Sequence, residues 1–283
     1  MPKLSKKRLR ELSLMANTIR QDIVTMVSVA NSGHPGGALG MVDIFSALYF
    51  QVLKHKPKSP SWKDRERLVL SNGHICAVRY SAMARAGYFP VKELSTFRKI
   101  NSRLQGHPSY VDLMGVESSS GSLGQGLGIA VGMALANKLD KNRRRTYVVV
   151  SDGELDEGSS WEALVAASKW KLNLTIIVDR NNIQISGKTN IVWPINPLNK
   201  KFKAFNINTL SVDGHNIQKF IDACATAKKK SGPSVIIART VLGKGVSFMQ
   251  NQAKWHGKPP SHEELIKALE ELHNQRERIK NSK

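Results

Sequence analysis

Two polar clusters, each closing a β-branched run, carry the chemistry this sequence could do. Val148-Val149-Val150-Ser151 leads into Asp152-Gly153-Glu154-Leu155-Asp156-Glu157-Gly158, and Ile176-Ile177-Val178 leads into Asp179-Arg180-Asn181-Asn182. Asp152 offers an anionic oxygen and Asn181 an amide oxygen. Magnesium takes one or two such hard donors from a protein, while phosphate oxygens and water complete its octahedron. Gly153 has no Cβ, so backbone N–H groups beside it can approach a diphosphate, an arrangement that a nearby helix start favours. Taken singly, Asp-Gly and Asn-Asn are ordinary turns after strands. Paired, with 27 residues between Gly153 and Asn181, they point to one diphosphate-and-metal site.

That pairing requires elements that bring the clusters together. A short β-branched run broken by turn residues reads as a buried parallel strand, and Gly158 to Trp170 has the length of a crossover helix. In open α/β sheets ligands sit beyond the carboxyl ends of the strands, so Asp152 and Asn181 are expected to converge. Further strands are expected at Arg67 to Leu70, Ile207 to Val212 and Ser234 to Arg239, beside those at Tyr147 to Ser151 and Leu174 to Asp179. Helices are expected at Leu9 to Asn31, Gly126 to Leu139 and Ile217 to Lys229, with Ser261 capping a last one and Leu198 to Asn206 partly helical. The expectation is one α/β domain over residues 1–283, a mostly parallel sheet with helices on both faces.

The Asp-Gly and Asn-Asn pair is similar to the thiamine diphosphate motif. Five more blocks follow in order: Ser32-Gly33-His34-Pro35-Gly36-Gly37, Asp64 to Arg67 leading to Leu70-Ser71-Asn72-Gly73-His74, Gln105-Gly106-His107-Pro108, Gly121-Ser122-Leu123-Gly124-Gln125-Gly126, and Trp255-His256-Gly257-Lys258-Pro259. With them the chain resembles the amino-terminal half of the transketolases. The resemblance implies a thiamine diphosphate-binding fold in which Asp152, Asn181 and the carbonyl of Ile183 hold magnesium, or calcium or manganese in its place. It implies cofactor contacts from His74, Gly153, Gly121 and Leu123, the leucine lying against the pyrimidine ring. His34, His107 and His256 match histidines that line the channel to the thiazolium. Imidazoles titrating near neutrality suit proton transfers at sugar hydroxyls and carbonyls, although any one of them could equally cap its own loop.

The resemblance also implies a partner. Glu157 matches a glutamate at the subunit interface that hydrogen-bonds the pyrimidine-activating glutamate of the neighbouring subunit; read alone, it is a carboxylate favoured by a helix N-terminus. The pyrimidine-binding and carboxyl-terminal domains of a transketolase are not in this sequence, so a second chain is expected to bring them. The pair would assemble as α2β2 and move a two-carbon ketol unit between sugar phosphates. Half of a deoxyxylulose phosphate synthase-like enzyme, and a scaffold without turnover, are the competing readings. Two departures stand out: Ser151 where the motif opens with glycine, and Leu242 where many relatives carry lysine in Val241-Leu242-Gly243-Lys244-Gly245.

Composition bounds the rest. With 283 residues and 41% hydrophobic content the chain can bury a substantial core. Apolar runs of about five residues cannot span a bilayer, and the charged start is unlike a signal peptide, so no membrane role and a cytoplasmic setting are expected. Cys76 and Cys224, far apart, read as packing residues. A net charge of +21 gathers in basic runs such as Lys141 to Arg145 and Lys228 to Lys230. Aromatic residues are scarce beside them, so a solvated surface or an acidic partner is expected rather than nucleic acid.

Overall fold

The computed structural model describes residues 3–281. At its centre β1 (Arg67–Leu70), β2 (Thr146–Ser151), β3 (Leu174–Arg180), β6 (Asn208–Asp213) and β7 (Ser234–Arg239) form a sheet in the order β1-β2-β3-β7-β6, every pairing parallel. The two-residue strands β4 (Ile183–Gln184) and β5 (Gly187–Lys188) make a separate hairpin just past β3. The strands read as unbroken apolar runs because both faces of the sheet are covered. Tyr147, Val149 and Ile177 point into one core, while Val148, Val150, Ile176 and Val178 point into the other. Fully burying each aliphatic side chain stabilises the fold by about 1.5–3 kcal/mol.

Helices α1 (Lys6–Val29), α3 (Val42–Ala47), α4 (Cys76–Ala86), α9 (Ile217–Lys229) and α10 (His262–Asn281) build the first core, with the short α2 (Pro35–Gly40) between α1 and α3. Helices α5 (Gln125–Leu139), α6 (Gly158–Lys169) and α8 (Leu198–Ala204) build the second, and α7 (Thr189–Val192) follows the hairpin. Ser261 caps α10 as expected: its hydroxyl accepts from Glu264 N at 3.1 Å, and the Glu264 carboxylate accepts from Ser261 N at 2.8 Å. Connections leave the strand ends to opposite faces, β1 towards α4 and β2 towards α6. A crevice opens where they part.

The strands fall within a residue or so of expectation. Helix α1 starts earlier than Leu9 because Ser5 caps it, accepting from Arg8 N at 3.1 Å, and it ends before Asn31, whose φ of 45° breaks the helix. Helices α2 and α3 were not expected. Pro35 opens α2, and its glycines are buried against other segments rather than lying in a solvated loop. Among the described residues no helix is long and apolar enough to cross a membrane. Cys76 and Cys224 are free and buried, and burial raises both thiols to about 12, in keeping with packing roles.

Candidate functional site

The carboxyl ends of β1, β2, β3 and β7 enclose a cavity of about 420 Å³. Nine of the expected site residues line it: His34, His74, His107, His256, Gly121, Leu123, Gly153, Asn181 and Ile183. Asp152 lies just beneath this surface, fully buried. Glu157 does not join them. It stands exposed at the start of α6, outside the cavity lining, and caps no backbone group with its side chain.

Each histidine arrives on a short loop. His34 precedes α2, His74 follows β1, and His107 and His256 come from loops that fold back over the sheet end. The rings of His34, His74 and His256 crowd together, with centroids 5.2–5.7 Å apart. Arg98 ties two of these loops: it donates to Ser32 Oγ at 2.7 Å and to Gly106 O at 3.2 Å, just before His34 and His107. Cys76 Sγ also donates to Gly106 O, at 3.1 Å.

This crowding changes the expected protonation. Burial, followed by the neighbouring His256, Arg98 and His107, brings His34 down to about 4. Burial together with His256, His34 and His107 brings His74 down to about 3. His107 is lowered by burial and Arg98, and His256 by burial. The expectation of imidazoles titrating near neutrality is therefore corrected: at neutral pH all four are neutral, each with one N–H to donate and one bare nitrogen to accept. His34 Nδ1 and His256 Nδ1 are buried with no partner in the protein.

The acidic floor is more elaborate than the sequence suggested. Asp152 Oδ2 accepts from Arg180 Nη1 at 2.8 Å and from Asn182 N at 2.7 Å, and its Oδ1 accepts from Gly153 N at 2.9 Å. Burial still outweighs these donors and raises its carboxyl. Beside it Asp179 accepts from Asn181 Nδ2 at 2.9 Å and from the Thr240 hydroxyl. Burial, with the charge of Asp152, pushes Asp179 up to about 7. Asn181 Oδ1 takes Ile183 N at 2.9 Å. Asp152 thus has the cation of Arg180 while Asp179 has only neutral donors, a floor short of positive charge.

Glu154 is a third buried carboxylate, and its role is legible only in the fold. It accepts from the Ser71 hydroxyl, from Gly124 N at 2.8 Å and from Ser151 N at 3.2 Å. It therefore joins the segments carrying His74, Asp152 and Leu123. Gly124 offers that N–H from a left-handed turn with φ of 81°, which favours glycine. The Ser151 hydroxyl is turned to Glu154 N at 3.1 Å, so the residue that departs from the motif serves this local turn. Asp179, Arg180 and Glu154 all stood inside the two opening clusters. The one signal available was charge placed at the end of an apolar strand.

A parallel sheet whose strand ends gather buried carboxylates, amide oxygens and neutral imidazoles around one cavity defines an α/β domain with a polar ligand site at its strand ends. Residues 12–278 match the family described as the thiamine diphosphate binding domain of transketolase, and the chain belongs to that family. An apulose-4-phosphate transketolase subunit of Actinobacillus succinogenes is 40% identical over 266 residues, which are 93% of this chain and 96% of that protein. The 6-deoxy-6-sulfo-D-fructose transketolase subunit SqwG of a Clostridium species is 38% identical over 93% of this chain and 96% of its own length. Human transketolase is 35% identical over 96% of this chain, yet the match spans only 44% of the human protein. Among solved structures, the transketolase of Campylobacter jejuni superposes with a TM-score of 0.87 at 36% identity, over 95% of this chain and 45% of that one.

Proposed function

We propose that this chain is the diphosphate-binding subunit of a two-chain transketolase, in which it holds thiamine diphosphate through a divalent metal ion while a partner chain completes the site. The observation that carries this reading is the convergence of Asp152, Asn181 and Ile183 with four neutral imidazoles at one cluster of strand ends. The chain is nearly coextensive with proteins named as single subunits of a transketolase and spans less than half of the human enzyme, which supports the split arrangement.

The floor fits a divalent ion. No group of three or more His, Cys, Asp and Glu among the described residues is placed to hold a metal, but the donor set here is a carboxylate, an amide oxygen and a backbone carbonyl. All are hard oxygens, and an added dication would offset the surplus charge of Asp152 and Asp179. Magnesium is the ion we assign, with Asp152 Oδ1, Asn181 Oδ1 and Ile183 O as its protein donors. Thiamine diphosphate, when bound, supplies the nucleophilic carbon that breaks and remakes the ketose carbon–carbon bond. His74 and the Gly153 N–H would donate to its diphosphate, and Leu123 and Gly121, which line the same cavity, would border its ring. His34, His107 and His256 donate to sugar hydroxyl and carbonyl oxygens and take protons on their bare nitrogens. Being neutral, they add no positive charge to that of Arg98, Arg180 and the metal.

Glu157, exposed at the start of α6, would in this reading meet a partner's carboxyl, and two facing carboxyls would share a proton. The partner in this reading carries the pyrimidine-binding and carboxyl-terminal domains, in an α2β2 assembly acting on sugar phosphates. The test is to combine this chain with a candidate partner and assay ketol transfer from a ketose phosphate with thiamine diphosphate and magnesium. Activity is expected from the pair and not from either chain alone. Full turnover by the isolated chain would overturn the split-enzyme reading.

A further inference from the structure

We propose that His215 is a positioning residue that fastens one wall of the cofactor cavity and releases it when the imidazole gains a second proton; this rests on the cofactor reading above. Leu242 lines the cavity from a strap, Thr240 to Lys244, that leaves the end of β7. The strap reaches the His34 loop directly, because Gly243 N donates to Gly36 O at 2.8 Å. It is held from behind by two groups that share one carboxylate. Val241 N donates to His215 Nε2 at 2.9 Å, and His215 Nδ1 meets Asp43 Oδ2 at 2.9 Å. Arg20 Nη2 donates to that same oxygen at 2.6 Å, and Arg20 Nε donates to Lys244 O at 3.1 Å.

These contacts settle the tautomer. Because Val241 N–H points at Nε2, that nitrogen is bare and the ring proton sits on Nδ1, donated to Asp43. A second proton can enter only at Nε2, where it would face the Val241 N–H, donor against donor. The strap must then move or the proton must stay away. The charged groups facing the imidazole are Asp43 on α3, Arg20 on α1 behind it, and Asp213 at the end of β6, whose Oδ1 accepts from His215 N at 2.9 Å. Asp43 is buried, yet Arg20 and His215 hold its carboxyl below the usual range, so it stays anionic and welcomes the second proton. Proton binding and the fastened strap therefore exclude each other. By reciprocity, cofactor that packs on the fastened wall should expel the proton, and acid should weaken the cofactor.

The test follows amide hydrogen exchange in the peptide spanning Val241 to Gly243, and cofactor affinity, from about pH 8 to about pH 5.5, across which an imidazole can gain its second proton. Wild type, His215→Gln and His215→Ala are compared as full chains. Glutamine carries an amide oxygen at about the reach of Nε2 and gains no proton. Protection at Val241, corrected for intrinsic exchange, is expected to fall about tenfold with acid in wild type, the worth of one hydrogen bond. It should stay level in His215→Gln and be low throughout in His215→Ala. Calorimetric affinity for thiamine diphosphate with magnesium should fall further with acid in wild type than in His215→Gln, a difference from which Asp179, titrating in both, drops out. Level protection in wild type, or glutamine behaving as alanine, would overturn the inference. Absence of cofactor binding by wild type at any pH would instead remove the cofactor reading and leave the exchange result to judge the latch.

Discussion

At the scale of single residues, the two buried aspartates of the floor have separable signatures. Asp152 is both an assigned ligand and the counter-charge of Arg180, whose other side-chain partners are the neutral Thr189 Oγ1 and Asn196 Oδ1, each at 3.1 Å. Asp152→Ala should abolish magnesium-dependent cofactor binding in calorimetry. It should also cost about 3–5 kcal/mol in denaturant unfolding, because a buried cation is left without its anion. Unchanged cofactor affinity would remove the ligand role even if stability fell. Asp179 acts through pH. Its carboxyl titrates near 7 in the fold and near 3.9 in an unfolded chain, so its share of stability is lost as pH rises through that window, at up to about 1.4 kcal/mol per unit. The histidines run the other way: lowered in the fold, they remove stability as pH falls from the ordinary imidazole range towards about 4 and 3. The difference between wild type and Asp179→Asn isolates the aspartate, and the variant's relative stability should grow from pH 5 to pH 8. A constant difference would mean that Asp179 is not the proton holder.

At the scale of elements, helix α5 shows how tightly one segment must approach the sheet for the site to form. A Cβ on Gly126 would lie 2.6–2.7 Å from Ser71 Cβ and Cα, against the residue whose hydroxyl feeds Glu154. Cβ atoms on Gly128 and Gly132 would meet nothing within 4 Å. Gly126→Ala should therefore cost about 1–3 kcal/mol through overpacking and weaken cofactor binding. Gly128→Ala and Gly132→Ala should each stabilise the isolated chain by about 0.5–1 kcal/mol, the helix preference of alanine over glycine. Denaturant midpoints decide this, and equal effects at all three positions would refute the close approach. Here lies the boundary of what could be read from the sequence. Strands such as β2 and β3 were legible because a doubly covered sheet writes an unbroken β-branched run, and the cavity histidines because their motifs are local. Arg180 against Asp152, Glu154 against Ser71 and His215 against Val241 were not, since each joins segments whose pairing exists only after the sheet has set its register. The protonation of the four imidazoles escaped for the same reason, burial being a property of the assembled cavity.

At the scale of the whole molecule, the charge of +21 is sorted by the topology. In a parallel sheet every connection returns to the same end before the next strand. Lys138, Lys141, Arg143 and Arg144 precede β2, Lys169 and Lys171 precede β3, and Lys228 to Lys230 precede β7. All therefore stand at the amino end of the sheet, opposite the cavity. Arg145 of the same run is an exception in role, turned inward to Thr175 Oγ1 at 2.6 Å and Asn173 Oδ1 at 2.7 Å. A strand of six residues is roughly 20 Å long, more than twice the screening length of about 8 Å at physiological salt. The basic pole is thus too far away to hold a diphosphate, and in the proposed function that task falls to the metal, backbone N–H groups and imidazoles at the cavity. Reversing the exposed charges Arg143→Glu, Lys229→Glu and Lys230→Glu together should change the calorimetric Kd for thiamine diphosphate by less than about twofold at physiological salt. It should leave ketol transfer with the partner chain intact, because the split-enzyme reading puts the partner over the cavity end, where Ile185 and Glu157 are exposed. A tenfold loss of cofactor affinity would show that the pole's field reaches the cavity, whereas loss of assembly with affinity preserved would place the partner on the basic pole instead of over the site.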